Sequence, residues 1–179
     1  MNKDLTVGEP QSVLWKFSIP MFVSVIFQQL YNMADSVIAG KFAGEDALAA
    51  VGASYPITMI FMAIAVGSNI GCSVIISQYF GAKWYEKMKT AIYTTLIASV
   101  ALSLLLTAAG LLGSRAMMAA INTPENIFAD GDLYLRIYIG GFVFLFLYNV
   151  ATGIFNSMGD SRTPLYFLIG SSLGNIVLD

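Results

Sequence analysis

Histidine is absent from this chain and cysteine occurs once, at Cys72. That excludes intrachain disulfides, zinc clusters and haem ligation. It also leaves a membrane-embedded enzyme without the commonest general base, which disfavours catalysis as the function. Charge is scarce: 11% of residues are Asp, Glu, Lys or Arg, against about 25% in soluble domains. A net charge of −2 is too small to signal a nucleic-acid partner. The polar start, MNKDLTVGEPQS, has no basic n-region and no small-residue cleavage site, so it reads as a tail and not as a cleaved signal peptide.

What is present is apolar surface. The chain is 57% hydrophobic with a mean hydropathy of +0.72. A soluble fold of this size cannot hide so much, so the sequence predicts an all-α integral membrane protein. Residues 1–12 form the tail. Residues 13–179 carry about five spans, near 15–39, 54–80, 89–113, 132–157 and 164–179. Pro56 and the preceding Gly52-Ala53-Ser54 predict that 47–53 is a turn or cap helix outside the second span. The fifth span stops after 16 residues, short of the roughly 20 needed to cross, and so reads as truncated.

Loop charge predicts an orientation. With the N-terminus inside, Lys3, Lys16, Lys83, Lys87, Lys89 and Arg162 face the cytoplasm, while Lys41, Arg115 and Arg136 face out. The excess of inner basic residues favours that arrangement in the cell membrane. Residues 81–89 are then an inner loop and 122–132 an outer one.

Within the apolar segments the sequence singles out two acids, Asp35 and Asp179. No lysine or arginine stands between Lys16 and Lys41 to pair with the first. A carboxylate at the centre of a span costs roughly 2.5–3.5 kcal/mol on insertion scales. Asp35 follows Pro20 by 15 residues and Asp179 follows Pro164 by 15, about 22 Å along each helix. The first and fifth helices run in the same direction. If the prolines lie at similar depths, so do the acids, and two carboxylates at one level form a site for H⁺ or Na⁺. Tyr31 and Asn175 stand four residues before them, on the same faces. Gln28 and Asn32 extend the first polar stripe, and Asn149 is a further intramembrane amide. Helix–helix adhesion is the competing reading for such amides.

The stretches "SIPMFVSVIFQQLYNMADSVIAGKFAGEDALAAVGASYPI", "SQYFGAKWYEK", "GDSRTPLYF" and "GNIVLD" resemble the N-terminal lobe of the multidrug and toxic compound extrusion (MATE) transporters. The resemblance runs in the right order from about residue 10 to the end. It implies a twelve-helix fold in two six-helix lobes, of which this chain supplies part of one. It implies an antiporter that exports small organic, often cationic, drugs or toxins while H⁺ or Na⁺ enters, with no other cofactor and with the missing half required for activity. Carried over by motif, it implies that Asp35 with Tyr31, and Asn175 with Asp179, bind the cation. It further implies that the first helix bends at Pro20, and it leaves Gln28, Asn32 and Asn149 as candidate lining of the substrate cavity.

Two alternatives stay open, a lipid-linked precursor flippase of the same superfamily and a non-transporting fragment. The flippase needs a cationic cavity, and intramembrane Lys and Arg are scarce. Gly67 with Gly71, and Gly170 with Gly174, are small-xxx-small patterns that predict close helix approach. Thr163 is the expected N-cap of the fifth helix, with Pro164 at its first position. The 9 Met and 12 Phe residues suit either a plastic cavity or lipid-facing surface.

Overall fold

The computed structural model describes residues 9–42 and 44–178, and the side chains of 31, 32, 34–40, 42, 45, 46 and 175–178 lie outside the described residues. Five helices follow one another through connections of two to four residues: α1 Pro10–Phe42, α2 Glu45–Gly81, α3 Tyr85–Ala120, α4 Glu125–Ser157 and α5 Arg162–Leu178. Such short links make sequence neighbours antiparallel. α1 through α4 contain stretches long and apolar enough to cross a membrane. At 33 to 37 residues they exceed the roughly 20 that a span needs. The helices therefore begin and end outside the apolar windows seen in the sequence.

Two expectations are corrected by these lengths. Residues 47–53 are neither a turn nor a separate cap helix but the first turns of α2, which runs unbroken through Pro56. Pro56 falls in the fourth turn of α2, and its missing N–H costs the helix one bond without ending it. The supposed loop 122–132 is mostly helical, because α4 starts at Glu125.

Three of the helix ends share one chemistry. After α2, the Trp84 N–H donates to the Tyr79 carbonyl at 2.9 Å and Lys83 N–H to Phe80 at 3.0 Å. After α3, Thr123 and Asn122 donate to Met118 and Ala119 in the same pattern, and after α4 Asp160 and Gly159 donate to Phe155 and Asn156. Each is a Schellman motif, which needs a left-handed residue at its centre. That residue is Lys83 (φ 60°), Asn122 (φ 53°) or Gly159 (φ 76°). Glycine takes this conformation without strain, asparagine tolerates it, and lysine is the costly choice.

The core belongs to α2, α3 and α4. α4 presents one buried stripe, Leu135, Ile139, Phe142, Phe146, Val150 and Ile154, at helical spacing. Phe61 of α2 packs edge-on to Phe142 with ring centroids 5.0 Å apart. α3 joins this core mostly through small residues, Ser99, Ser103, Gly110 and Ser114, with Met118 as its one large side chain, all buried. Small residues let backbones approach closely where lipid gives no hydrophobic drive to associate. A methyl added at Gly110 would sit 2.7 Å from Phe61 Cζ and 3.0 Å from Ile139. The expected close approach at Gly67, Gly71, Gly170 and Gly174 is not found, since nothing among the described residues lies within 4 Å of a Cβ placed there. The tight glycines are Gly110, Gly131 and Gly153.

α1 stands apart from this core. Leu14, Trp15, Phe22, Val25, Ile26 and Leu30 are all exposed, and α1 packs on α5 and on α2.

Candidate functional site

The α1–α5 pair carries the residues singled out as a cation site. α1 continues without interruption to Phe42, so Tyr31, Asn32 and Asp35 are placed on one helix, while their side chains lie outside the described residues. Asn175 belongs to α5 and its side chain is likewise outside. Asp179 lies outside the described residues altogether.

The two helices are tied together at their starts. The buried Ser161 hydroxyl, just before α5, donates to the Phe17 carbonyl of α1 at 3.1 Å. This contact bridges 144 residues of sequence. Its geometry depends on the turn that positions Ser161. Asp160 Oδ1 accepts the Arg162 and Thr163 backbone N–H groups at 3.2 and 3.1 Å, and Oδ2 accepts the Thr163 hydroxyl at 2.7 Å. Asp160 is therefore the capping residue, and Thr163, expected in that role, is its donor. α5 begins at Arg162, two residues before Pro164. Burial pushes the Asp160 carboxyl up, but these hydrogen bonds outweigh it and hold the group below the ordinary carboxylate value.

Pro20 lies inside α1. Having no N–H, it leaves one carbonyl of the preceding turn without its helical donor. One turn later the Ser24 hydroxyl donates back to the Pro20 carbonyl at 2.9 Å, a bond that competes with the helical ladder and favours bending. Pro20 and Ser24 thus weaken two successive turns of α1.

The candidate cavity amides do not form one described cluster. Gln28 is exposed on α1. Asn149 is half-buried on α4 and donates its amide to the Leu145 carbonyl of the same helix at 2.9 Å.

A further acid, inside α4, escapes a reading that treats 122–132 as loop. Asp132 is buried in α4, and its Oδ2 accepts Arg136 Nε at 3.0 Å and Arg115 Nε at 3.4 Å. Arg115 and Arg136, expected on the outer side, are thus bound to one carboxylate that joins α3 to α4. The Asp132–Arg136 spacing of four was visible in the sequence once 125–136 is taken as helix. At the opposite end of the seam between α2 and α4, Ser157 donates to the Ser73 carbonyl at 3.1 Å and Ser73 donates to Asn69 Oδ1 at 3.0 Å, beside Gly153. Among the described residues no group of three or more His, Cys, Asp or Glu side chains forms a metal cluster.

A family model described as MatE matches residues 20–179. The probable multidrug resistance protein YoeA of Bacillus subtilis (strain 168) is 32% identical over 162 residues, covering 90% of this chain and 35% of that protein. The probable multidrug resistance protein YpnP of the same strain is 30% identical over 175 residues, covering 98% of this chain and 39% of that protein. Among solved structures, a MOP superfamily transporter from Pyrococcus furiosus superposes with a TM-score of 0.89 at 29% identity, over 96% of this chain and 38% of that one. That structure is described as having a binding pocket of reverse polarity that suggests a different function. The chain thus spans between a third and two fifths of the length of the relatives it matches.

Proposed function

This chain belongs to the MATE family, and from that membership we propose that the intact protein is an antiporter. It exports small organic, often cationic, drugs or toxic metabolites across the cell membrane in exchange for H⁺ or Na⁺. The cation sits between Asp35 and Asp179, with Tyr31 and Asn175 as neutral oxygen donors. Gln28, Asn32 and Asn149 line the substrate cavity, and α1 bends at Pro20. The N-terminal tail is cytoplasmic, and the rest of the transporter is required for activity.

The observation that carries the proposal is the Ser161–Phe17 hydrogen bond. It sets a common origin for two helices of the same direction. Asp35 lies 18 residues beyond Phe17, and Asp179 lies 18 residues beyond Ser161, about 27 Å along each helix. That shared origin supports equal depth for the two acids without assuming level prolines.

The mechanism follows from charge. Two carboxylates at one depth repel each other, and an empty site carries that cost. A bound cation removes that cost and permits α1 to bend where Pro20 and Ser24 weaken it. Coupling requires drug and cation to favour different conformations. The flippase reading needs unpaired cationic side chains in the cavity. Arg115 and Arg136 are both held by Asp132, which favours the antiporter.

The test is drug efflux by the full-length transporter in inverted vesicles energised by a pH or Na⁺ gradient. Asp35→Asn is expected to abolish gradient-driven ethidium efflux while leaving expression near normal. Efflux at the wild-type rate would remove Asp35 from the mechanism.

A further inference from the structure

A groove of about 490 Å³ opens between the end of α2 and the start of α3, away from the α1–α5 pair. Its mouth is polar. Tyr79 stands on the α2 side, with Lys87 and Thr90 on the α3 side. Its deeper walls are Cys72 and Ile75 on α2 and Ala91 and Thr94 on α3. Tyr79 to Cys72 and Lys87 to Thr94 are each seven residues, so both walls run about 10 Å in from the mouth.

Glu86 and Lys87 both line the mouth, and the segment 81–89 around it is net positive, with Lys83, Lys87 and Lys89 against Glu86. Glu86 is engaged by Lys89 at 3.0 Å. Lys87 is then the lining cation, with Lys83 in the adjoining turn, and the Lys87 ammonium sits 4.3 Å from the centroid of the Trp84 ring. Aromatic and basic residues together mark a membrane–water boundary. Lys83 occupies a left-handed position where glycine or asparagine would be less strained. A strained residue of this kind points to a use for its side chain.

We propose that this groove binds one anionic phospholipid, its headgroup phosphate at Lys87 and Lys83 and one acyl chain along Cys72, Ile75 and Thr94. A polar, positive mouth leading into apolar walls matches an amphipathic anion end for end. A free phosphate would leave the walls unfilled, and a zwitterionic headgroup would leave the lysines uncompensated. Basic pockets between membrane helices recognise anionic headgroups by this complementarity.

Cys72 lines the groove and is the single cysteine of the chain, so it reports occupancy directly. The experiment follows modification of the Cys72 peptide by N-ethylmaleimide, read by mass spectrometry. The full chain is reconstituted in vesicles of phosphatidylcholine alone or of phosphatidylcholine with phosphatidylglycerol. Phosphatidylglycerol is expected to slow modification about fivefold, the factor that roughly one lysine–headgroup interaction supplies. Lys87→Glu should return the rate to its value in phosphatidylcholine, Lys87→Arg should keep the protection, and Lys41→Glu, remote from the groove, should keep it too. A Lys87→Glu rate in phosphatidylcholine equal to wild type shows that the variant is folded. Equal rates in the two lipids would overturn the proposal, as would protection that survives Lys87→Glu. Protection by inorganic phosphate alone would replace it with a small-anion site. A Cys72 that reacts in neither lipid would show the groove covered by protein, which also contradicts it.

Discussion

At Gly110 an added methyl meets the Phe61 ring and both branches of Ile139, whereas at Gly67 it meets no described atom. The same substitution should therefore have opposite consequences. Gly110→Ala overpacks the centre of the α2–α3–α4 core and is expected to cost about 1–3 kcal/mol. Gly67→Ala gains helix propensity of up to about 1 kcal/mol and should be neutral or stabilising. Thermal unfolding midpoints in detergent distinguish the two, and equal losses would contradict the packing described. Among the described residues, the glycines that make close approaches are not the ones their spacing pointed to. Spacing identifies a surface that permits close approach, but only the partner helix decides whether the approach occurs. Asp35 was legible because an acid without a counter-charge in an apolar run is costly whatever surrounds it. Asp132 was not, because its helix begins in a polar stretch that hydropathy reads as loop.

At the scale of the element, the turn between α4 and α5 sets how α5 is seated on α1. Asp160 holds three hydrogen bonds there, and N-terminal caps contribute about 1 kcal/mol. Asp160→Ala should accordingly speed amide exchange in the first turn of α5 about fivefold, with α2 and α4 unchanged. The carboxyl is held below its ordinary value. Its contribution is complete above the unfolded carboxylate pKa, near 4, and is lost as pH falls through the lower folded value. Amide exchange that is indifferent to Asp160→Ala at neutral pH would show that the turn does not hold α5. The "GDSRTP" motif was readable as a turn, with the cap assigned to Thr163 instead of Asp160. Either residue can cap, and the choice depended on where the helix starts. The helix ends were misplaced for the same reason throughout, since hydropathy marks apolar windows while the helices continue into polar flanks.

At the scale of the whole molecule, the class and the number of helices followed from hydropathy because apolar length alone decides them. The grouping into an α2–α3–α4 core with an α1–α5 pair did not, since every membrane helix looks apolar on all sides. Orientation is a separate expectation resting on loop lysines. Single cysteines at Lys87 and Asn126, in a Cys72→Ser background, should label from opposite sides with a membrane-impermeant maleimide, Asn126 from outside. Labelling of both from outside would refute this assignment, and labelling of Lys87 alone from outside would reverse the proposed N-terminus. The central claim is that Asp35 and Asp179 serve one cation. Groups acting as one unit give non-additive losses. The decisive measurement is gradient-driven drug efflux by the full-length transporter carrying Asp35→Asn, Asp179→Asn or both. The account predicts nearly equal losses in all three, with Asn175→Ala milder. Substantial activity in each single variant, with losses that multiply in the double variant, would show two independent sites and contradict it.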